Sequence, residues 1–312
     1  MVETVISVGL PVGEVLTIKK QTLRPADLTG KEKRLCIVTG IHGDELEGQY
    51  VCYELIRRIQ ENLTNLKGIV DVYPCANPLG VESITRGIPT FDIDMNRCFP
   101  GTREGDLVEN VAASIVEDAK GADLCIDIHA SDIFIREIPQ VRIRTENIDT
   151  LFDYAMELNV DFIWAYESQT VIEATLAHSL NQLNVPTLAV EMGVGMRLTK
   201  SFGDQIVDGL FCVMKKLGIW DGQVKESRKP IVSTDGEVEL IHAQAPGIFV
   251  PYIEHWRGIK EGDIVGNIID PLEGTLKQSI VAPVSGMVFS LREYPVVYEG
   301  SLIARVLGGA FT

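Results

Sequence analysis

Several protein classes leave marks that this sequence lacks. No C-x-x-C pair occurs among its six cysteines, at positions 36, 52, 75, 98, 125 and 212. Several of them fall inside apolar runs, so the expectation is buried free thiols in a reducing compartment. No apolar run approaches the roughly 20 residues needed to span a bilayer. The opening stretch, MVETVISVGL, lacks the basic start and long apolar core of a secretory leader. A soluble, cytoplasmic protein is the expectation. Positive charge is also scarce, with 28 Lys and Arg against 44 Asp and Glu, a formal net charge of −16. Such a surface repels polyanions, which argues against nucleic acid and acidic membranes as partners. An anionic small substrate would need a local patch of arginine.

What remains is the balance of a globular protein, 46% hydrophobic and 23% charged over 312 residues, long enough to bury a full core. The first two-thirds alternates strand-like and helix-like segments. RLCIVTG (34–40) reads as a strand, and in the helix that follows Cys52, Leu55, Ile56, Ile59 and Leu63 keep helical spacing, with Asp44 as N-cap. Further strands are expected at 68–78, 122–131 and 185–193, and helices at 107–121, 171–183 and 204–218, with Gly121 and Gly218 as stops. Alternation of this kind gives a mostly parallel, mixed sheet flanked by helices. Beyond GQVKESRKP (222–230) the pattern changes to short β-type runs between glycine turns. The expected division is an α/β catalytic domain over 1–228 and an all-β module over 229–312.

His42, Asn77, His129 and Glu191 fall at or just past the carboxyl ends of predicted strands. In open α/β sheets that edge is where ligands bind. His42 and Glu45, in GIHGDELEG, are close enough in sequence to hold one metal ion, with His129 arriving from another strand. Catalytic zinc uses three such imidazole and carboxylate ligands and keeps a position for water. H-x-x-E alone is weak, and a single strand-end histidine is more often a hydrogen-bonded core residue. A phosphate loop is excluded, because the stretch lacks the lysine and Ser/Thr of a P-loop and carries three acids. A second feature is SITRGIPTFDIDMNRCFPG (83–101), where Arg86 and Arg97 flank Asn96. Arginine suits bidentate recognition of carboxylate, although exposed loop arginines are the plain alternative. Arg136, Arg142 and Arg144 lie close in sequence to His129. His178, His242 and His255 read as surface or satisfied core residues.

GIHGDELEG, ANPLG, DMNRCFPG, DIHAS and VEMG, in that order from 40 to 193, resemble the succinylglutamate desuccinylase/aspartoacylase family, related to the zinc carboxypeptidases. The resemblance implies one zinc ion per chain, held by His42, Glu45 and His129. It implies Glu191 as the catalytic glutamate, Arg86 as the arginine that polarises the scissile carbonyl, and Asn96 with Arg97 as the pair holding a substrate carboxylate. Asp94 resembles an acid that orients the arginines. The expected activity is zinc-dependent hydrolysis of the amide bond of an N-acyl amino acid. The alternatives are a metallocarboxypeptidase for short or modified peptides and a non-catalytic binding protein on the same fold. IVAPVSGMV (280–288) and EGDIVG (261–266) look like the barrel sandwich of biotinyl and lipoyl carriers. Lys277 is the only nearby lysine and stands in the wrong context, so the module reads as a site cap or an oligomer contact, which leaves room for a homo-oligomer. The module departs from the family pattern, so no substrate-binding role is carried over to a tyrosine such as Tyr294 or Tyr298.

Overall fold

The computed structural model describes residues 1–89, 92–167, 174–234 and 237–308. An antiparallel hairpin, β1 (Val2–Gly9) and β2 (Val15–Leu23), opens the chain. Then come β3 (Arg34–Thr39), α1 (Glu47–Glu61), β4 (Ile69–Tyr73), α2 (Pro78–Ser83), α3 (Leu107–Ala119), β5 (Leu124–Ala130) and β6 (Ile135–Arg144). They are followed by α4 (Ile148–Ala155), β7 (Phe162–Tyr166), α5 (Leu176–Gln182), β8 (Thr187–Gly193) and α6 (Lys200–Leu217). The remainder is β-structure: β9 (Ile231–Thr234), β10 (Val238–His242), β11 (Gly247–Pro251), β12 (Arg257–Ile259) and β13 (Ile264–Asp270), then β14 (Thr275–Val281), β15 (Gly286–Arg292), β16 (Val296–Val297) and β17 (Leu302–Gly308).

The centre of the sheet is the parallel set β4-β3-β5-β8. Its strands are buried on both faces, as parallel strands must be, and every residue of β5 is buried. Side chains alternate between the two layers along each strand. Leu35 and Ile37 pack with Val51, Leu55 and Ile59 of α1 and with Ile206 and Leu210 of α6. Cys36 and Val38 face the other way, onto Val108, Val111 and Ile115 of α3 and onto Leu176 and Leu180 of α5. The α3 N-terminus is fixed by a capping box, in which Asp106 accepts from Val108 and Glu109 while Glu109 reaches back to the Asp106 N–H.

On the far side of β8 the direction reverses. β6 runs antiparallel to β8, and Pro139 is tolerated there because the ladder shifts register between Glu137 and Gln140. β6 then pairs with β15, and β7 with β9, so the backbone ladder continues without a break into the C-terminal third. Among the described residues thirteen strands join into this one sheet, and a second sheet, β14-β13-β11-β16, packs over it. Their shared core contains Phe249, Val265, Ile268, Ile280, Val288 and Val306. The fold is the mixed α/β architecture with a C-terminal β module that the sequence predicted.

Element boundaries differ in instructive ways. α1 starts at Glu47 with Leu46 as its cap and no side-chain capping bond, so Asp44 is not the N-cap expected of it. The cause is a close backbone crossing: a Cβ on Gly43 would lie 2.0 Å from the carbonyl carbon of Gly80 in α2. That contact holds residues 41–46 in a tight non-helical turn. α6 begins at Lys200, earlier than expected, and α5 begins at Leu176 under a Thr175 cap. Residues 171–173 of the expected helix lie outside the described residues.

Candidate active site

The parallel strands deliver three groups to one place. His42 follows the end of β3, while His129 on β5 and Glu191 on β8 are register partners across adjacent strands. The Gly43 turn folds Glu45 back between the histidines. His42 Nδ1 lies 2.6 Å from Glu45 Oε1, and His129 Nδ1 lies 2.9 Å from Glu45 Oε2. The ligand atoms of these buried residues all fall within 4.8 Å of one another.

The opposite nitrogens are also engaged. His42 Nε2 is 3.0 Å from Asp94 Oδ1, and His129 Nε2 is 3.0 Å from Asp127 Oδ1, the latter contact out of line for a good hydrogen bond. Carboxylates behind Nε2 favour a proton on that nitrogen and leave the Nδ1 lone pair for a cation, the arrangement found behind metal-bound imidazoles. Burial works against a charged His42, yet Asp94 and Glu45 outweigh it and raise its pKa. Burial likewise opposes a charged His129, and Asp127 and Glu45 drive its pKa well above the usual range. Burial also opposes charge on Glu45, but the two imidazoles hold it down at about 2. Three carboxylates around two imidazoles make a pocket that favours positive charge, and the donor set fits a metal ion.

This cluster lies in a cavity of about 630 Å³. Glu191 lines it with 18% of its side chain exposed, and burial pushes its pKa up to about 7 against the pull of Arg142 and His129. Arg86 stands near the histidines, with Nη1 3.1 Å from Glu45 Oε1 and Nε 3.3 Å from Asp94 Oδ2. Its backbone oxygen accepts the Gly43 N–H, tying the two loops together. Asn96 and Arg97 line the same cavity. The Asn96 Oδ1 is occupied by the Leu176 N–H at the start of α5, so its amide NH2 is the group left to donate. Arg97 is exposed and bonds the Asn96 carbonyl through Nη1 at 2.8 Å.

The structure therefore brings His42, Glu45, His129, Glu191, Arg86, Asn96 and Arg97 around one cavity. Asn77 is not in its lining; it caps α2 by accepting from Gly80 and donates to the Gly87 carbonyl, a supporting role for the Arg86 loop. Asp94 contacts His42 as well as Arg86, more than orientation of arginines alone. Asp127 was not among the residues the sequence singled out; the signal that could have found it is D-x-H on a strand, where residues two apart share a face. Of the nearby arginines, Arg142 and Arg144 line the cavity, whereas Arg136 bonds Thr199 and stacks over Phe202. His178 also lines it, with Nδ1 2.6 Å from Arg144 Nη1. The C-terminal module contributes Arg292, Leu302 and Arg305, none of which the sequence singled out. Tyr294 and Tyr298 are not in the lining, and Lys277 is paired with Asp270.

Fold and site together define an α/β enzyme whose two histidines and one glutamate, at the carboxyl edge of a parallel sheet, can hold a metal ion. Residues 31–217 match the model of the succinylglutamate desuccinylase/aspartoacylase catalytic domain. The chain belongs to that family, a family of deacylases. Solved structures extend the likeness over the C-terminal module. A succinylglutamate desuccinylase/aspartoacylase from Rhodobacter sphaeroides superposes with a TM-score of 0.82 at 19% identity, covering 99% of this chain and 96% of that one. The product-bound ectoine utilization protein EutE (DoeB) from Ruegeria pomeroyi gives 0.83 at 18% identity, covering 99% and 95%. A succinylglutamate desuccinylase from Silicibacter sp. TM1040 gives 0.82 at 20% identity, covering 97% and 93%. No curated protein matches the chain. Among the described residues no helix is long and apolar enough to cross a membrane.

Proposed function

We propose that this chain is a zinc-dependent amidohydrolase that releases the amine from an N-acyl amino acid or a similar small carboxylate-bearing substrate. The observation that carries the reading is the pair of imidazoles whose Nδ1 atoms both meet Glu45 while their Nε2 atoms face Asp94 and Asp127. His42, Glu45 and His129 would hold one zinc ion. When bound, zinc lowers the pKa of water toward about 7 and polarises a carbonyl.

The chain's own residues do the rest. Glu191 stands in the cavity as a carboxylate whose burial makes it a competent base near neutrality. It takes a proton from the attacking water and returns it to the leaving amine. Arg86 supplies a guanidinium to the oxyanion that develops on the scissile carbonyl, the kind of stabilisation that provides much of the acceleration in such reactions. The Asn96 amide and the Arg97 guanidinium clamp the substrate carboxylate, fixing the amide bond for attack. A cavity of about 630 Å³ suits a small substrate.

The test is release of free amine from a panel of N-acetyl and N-succinyl amino acids, with a dipeptide as comparator, by zinc-loaded protein. Turnover of an N-acyl amino acid that Glu191→Gln abolishes supports the reading. Turnover of dipeptides alone would replace it with a carboxypeptidase. A zinc-free protein that cannot be reconstituted would leave a binding protein.

A further inference from the structure

We infer that Arg142 is a positioning residue for Glu191, locked in place by the buried Glu137 and by Arg305 of the C-terminal module. The inference rests on Glu191 being the general base. Glu137 on β6 is fully buried, an expensive place for a carboxylate unless charges compensate it. Arg142 Nη2 reaches both of its oxygens, at 3.0 and 2.8 Å, and Arg305 Nη1 donates to its Oε1. The other terminal nitrogen of Arg142 lies 3.4 Å from Glu191 Oε1. Both guanidinium groups also lie over the Trp164 ring, at 5.6 and 5.9 Å from its centroid.

The geometry is directional. Arg142 has one amino group committed to Glu137 and the other turned to the base, so its fork cannot rotate toward substrate without abandoning a buried carboxylate. Two guanidinium and two carboxylate groups balance in charge, and they link β6, β8 and β17. Arg305 lies 168 positions from Glu137 in sequence, and its strand reaches β6 through β15. The C-terminal module thereby takes part in the site from behind the base, as well as forming a wall of the cavity. A carboxylate held by a fixed guanidinium keeps one orientation relative to the zinc ligands, and loss of near-attack geometry costs on the order of 100-fold.

Steady-state kinetics and zinc content of the zinc-loaded variants Arg142→Met, Arg142→Lys, Arg305→Met and the double variant decide the matter. Positioning predicts that R142M loses roughly 10- to 100-fold in kcat with KM and zinc content near wild type. R142K recovers part of the loss, and R305M loses less. Adding R305M to R142M should cost little more, because both act through one chain of contacts. If R142M does not fold, R305M and R142K carry the same test. A rise in KM with kcat unchanged would make Arg142 a substrate-binding group and overturn the proposal, as would fully additive losses. If E191Q is inactive while R142M keeps its kcat, the positioning role fails and the base survives. If E191Q stays active, both fail together.

Discussion

The placing of His42 and Glu45 depends on Gly43, which offers no ligand atom of its own, and this makes Gly43→Ala the most informative single perturbation. Gly43 is not among the positive-φ glycines, so left-handed freedom is not at issue; space is. An added Cβ would sit 2.0 Å from the Gly80 carbonyl carbon and 2.4 Å from its Cα and oxygen, all backbone atoms. Ordinary contact begins near 3.4 Å, so one chain must retreat by about 1.4 Å. Gly80 cannot yield easily, since the Asn77 side chain caps its helix at Gly80 N. The retreat falls on the turn that carries His42 and Glu45. Overpacking of this kind costs about 1–3 kcal/mol, and disturbed ligand orientation lowers metal affinity about 10- to 100-fold. The assay is zinc affinity by chelator competition, alongside Tm, with Gly9→Ala as control because a Cβ there meets nothing within 4 Å. A G43A protein with wild-type zinc affinity would refute the argument that this crossing sets the ligand geometry.

Other consequences are as specific. Asp127→Asn and Asp94→Asn replace the carboxylates behind the two imidazoles with neutral amides and should each lower zinc affinity about 10- to 100-fold while the protein stays folded, read by the same competition. Burial raises the Glu191 pKa to about 7, and the base works ionised, so kcat/KM should fall as pH drops through that value. A kcat/KM that did not fall on acidification through about pH 7 would contradict the assignment. Asp106→Ala deletes the α3 capping box, outside the cavity lining, and should cost about 1 kcal/mol of stability with kcat unchanged, measured by denaturant unfolding.

The sequence announced the parallel core because its strands are short and largely apolar and alternate with helical patterns, and the strand-end residues identified the edge where the site sits. It did not announce β6. Pro139 in the middle of IREIPQVRIR argues against a strand, and only the register shift beside it makes room. Nor did it show why Asp44 fails to cap α1, since that depends on Gly80, which lies far along the chain and close in space. The metal-ligand candidates were legible through local motifs, whereas Asp127 was passed over although strand periodicity puts it on the His129 face. Arg305 was not, because its partner Glu137 is distant in sequence and no local pattern links them.

The central claim is one zinc ion on His42, Glu45 and His129, and anomalous diffraction at the zinc edge from a zinc-loaded crystal tests it most directly. The account predicts one strong peak per chain within bonding distance, about 2.0–2.2 Å, of both Nδ1 atoms and a Glu45 oxygen. A peak on Nε2, a peak elsewhere, or no peak in zinc-saturated crystals would contradict it.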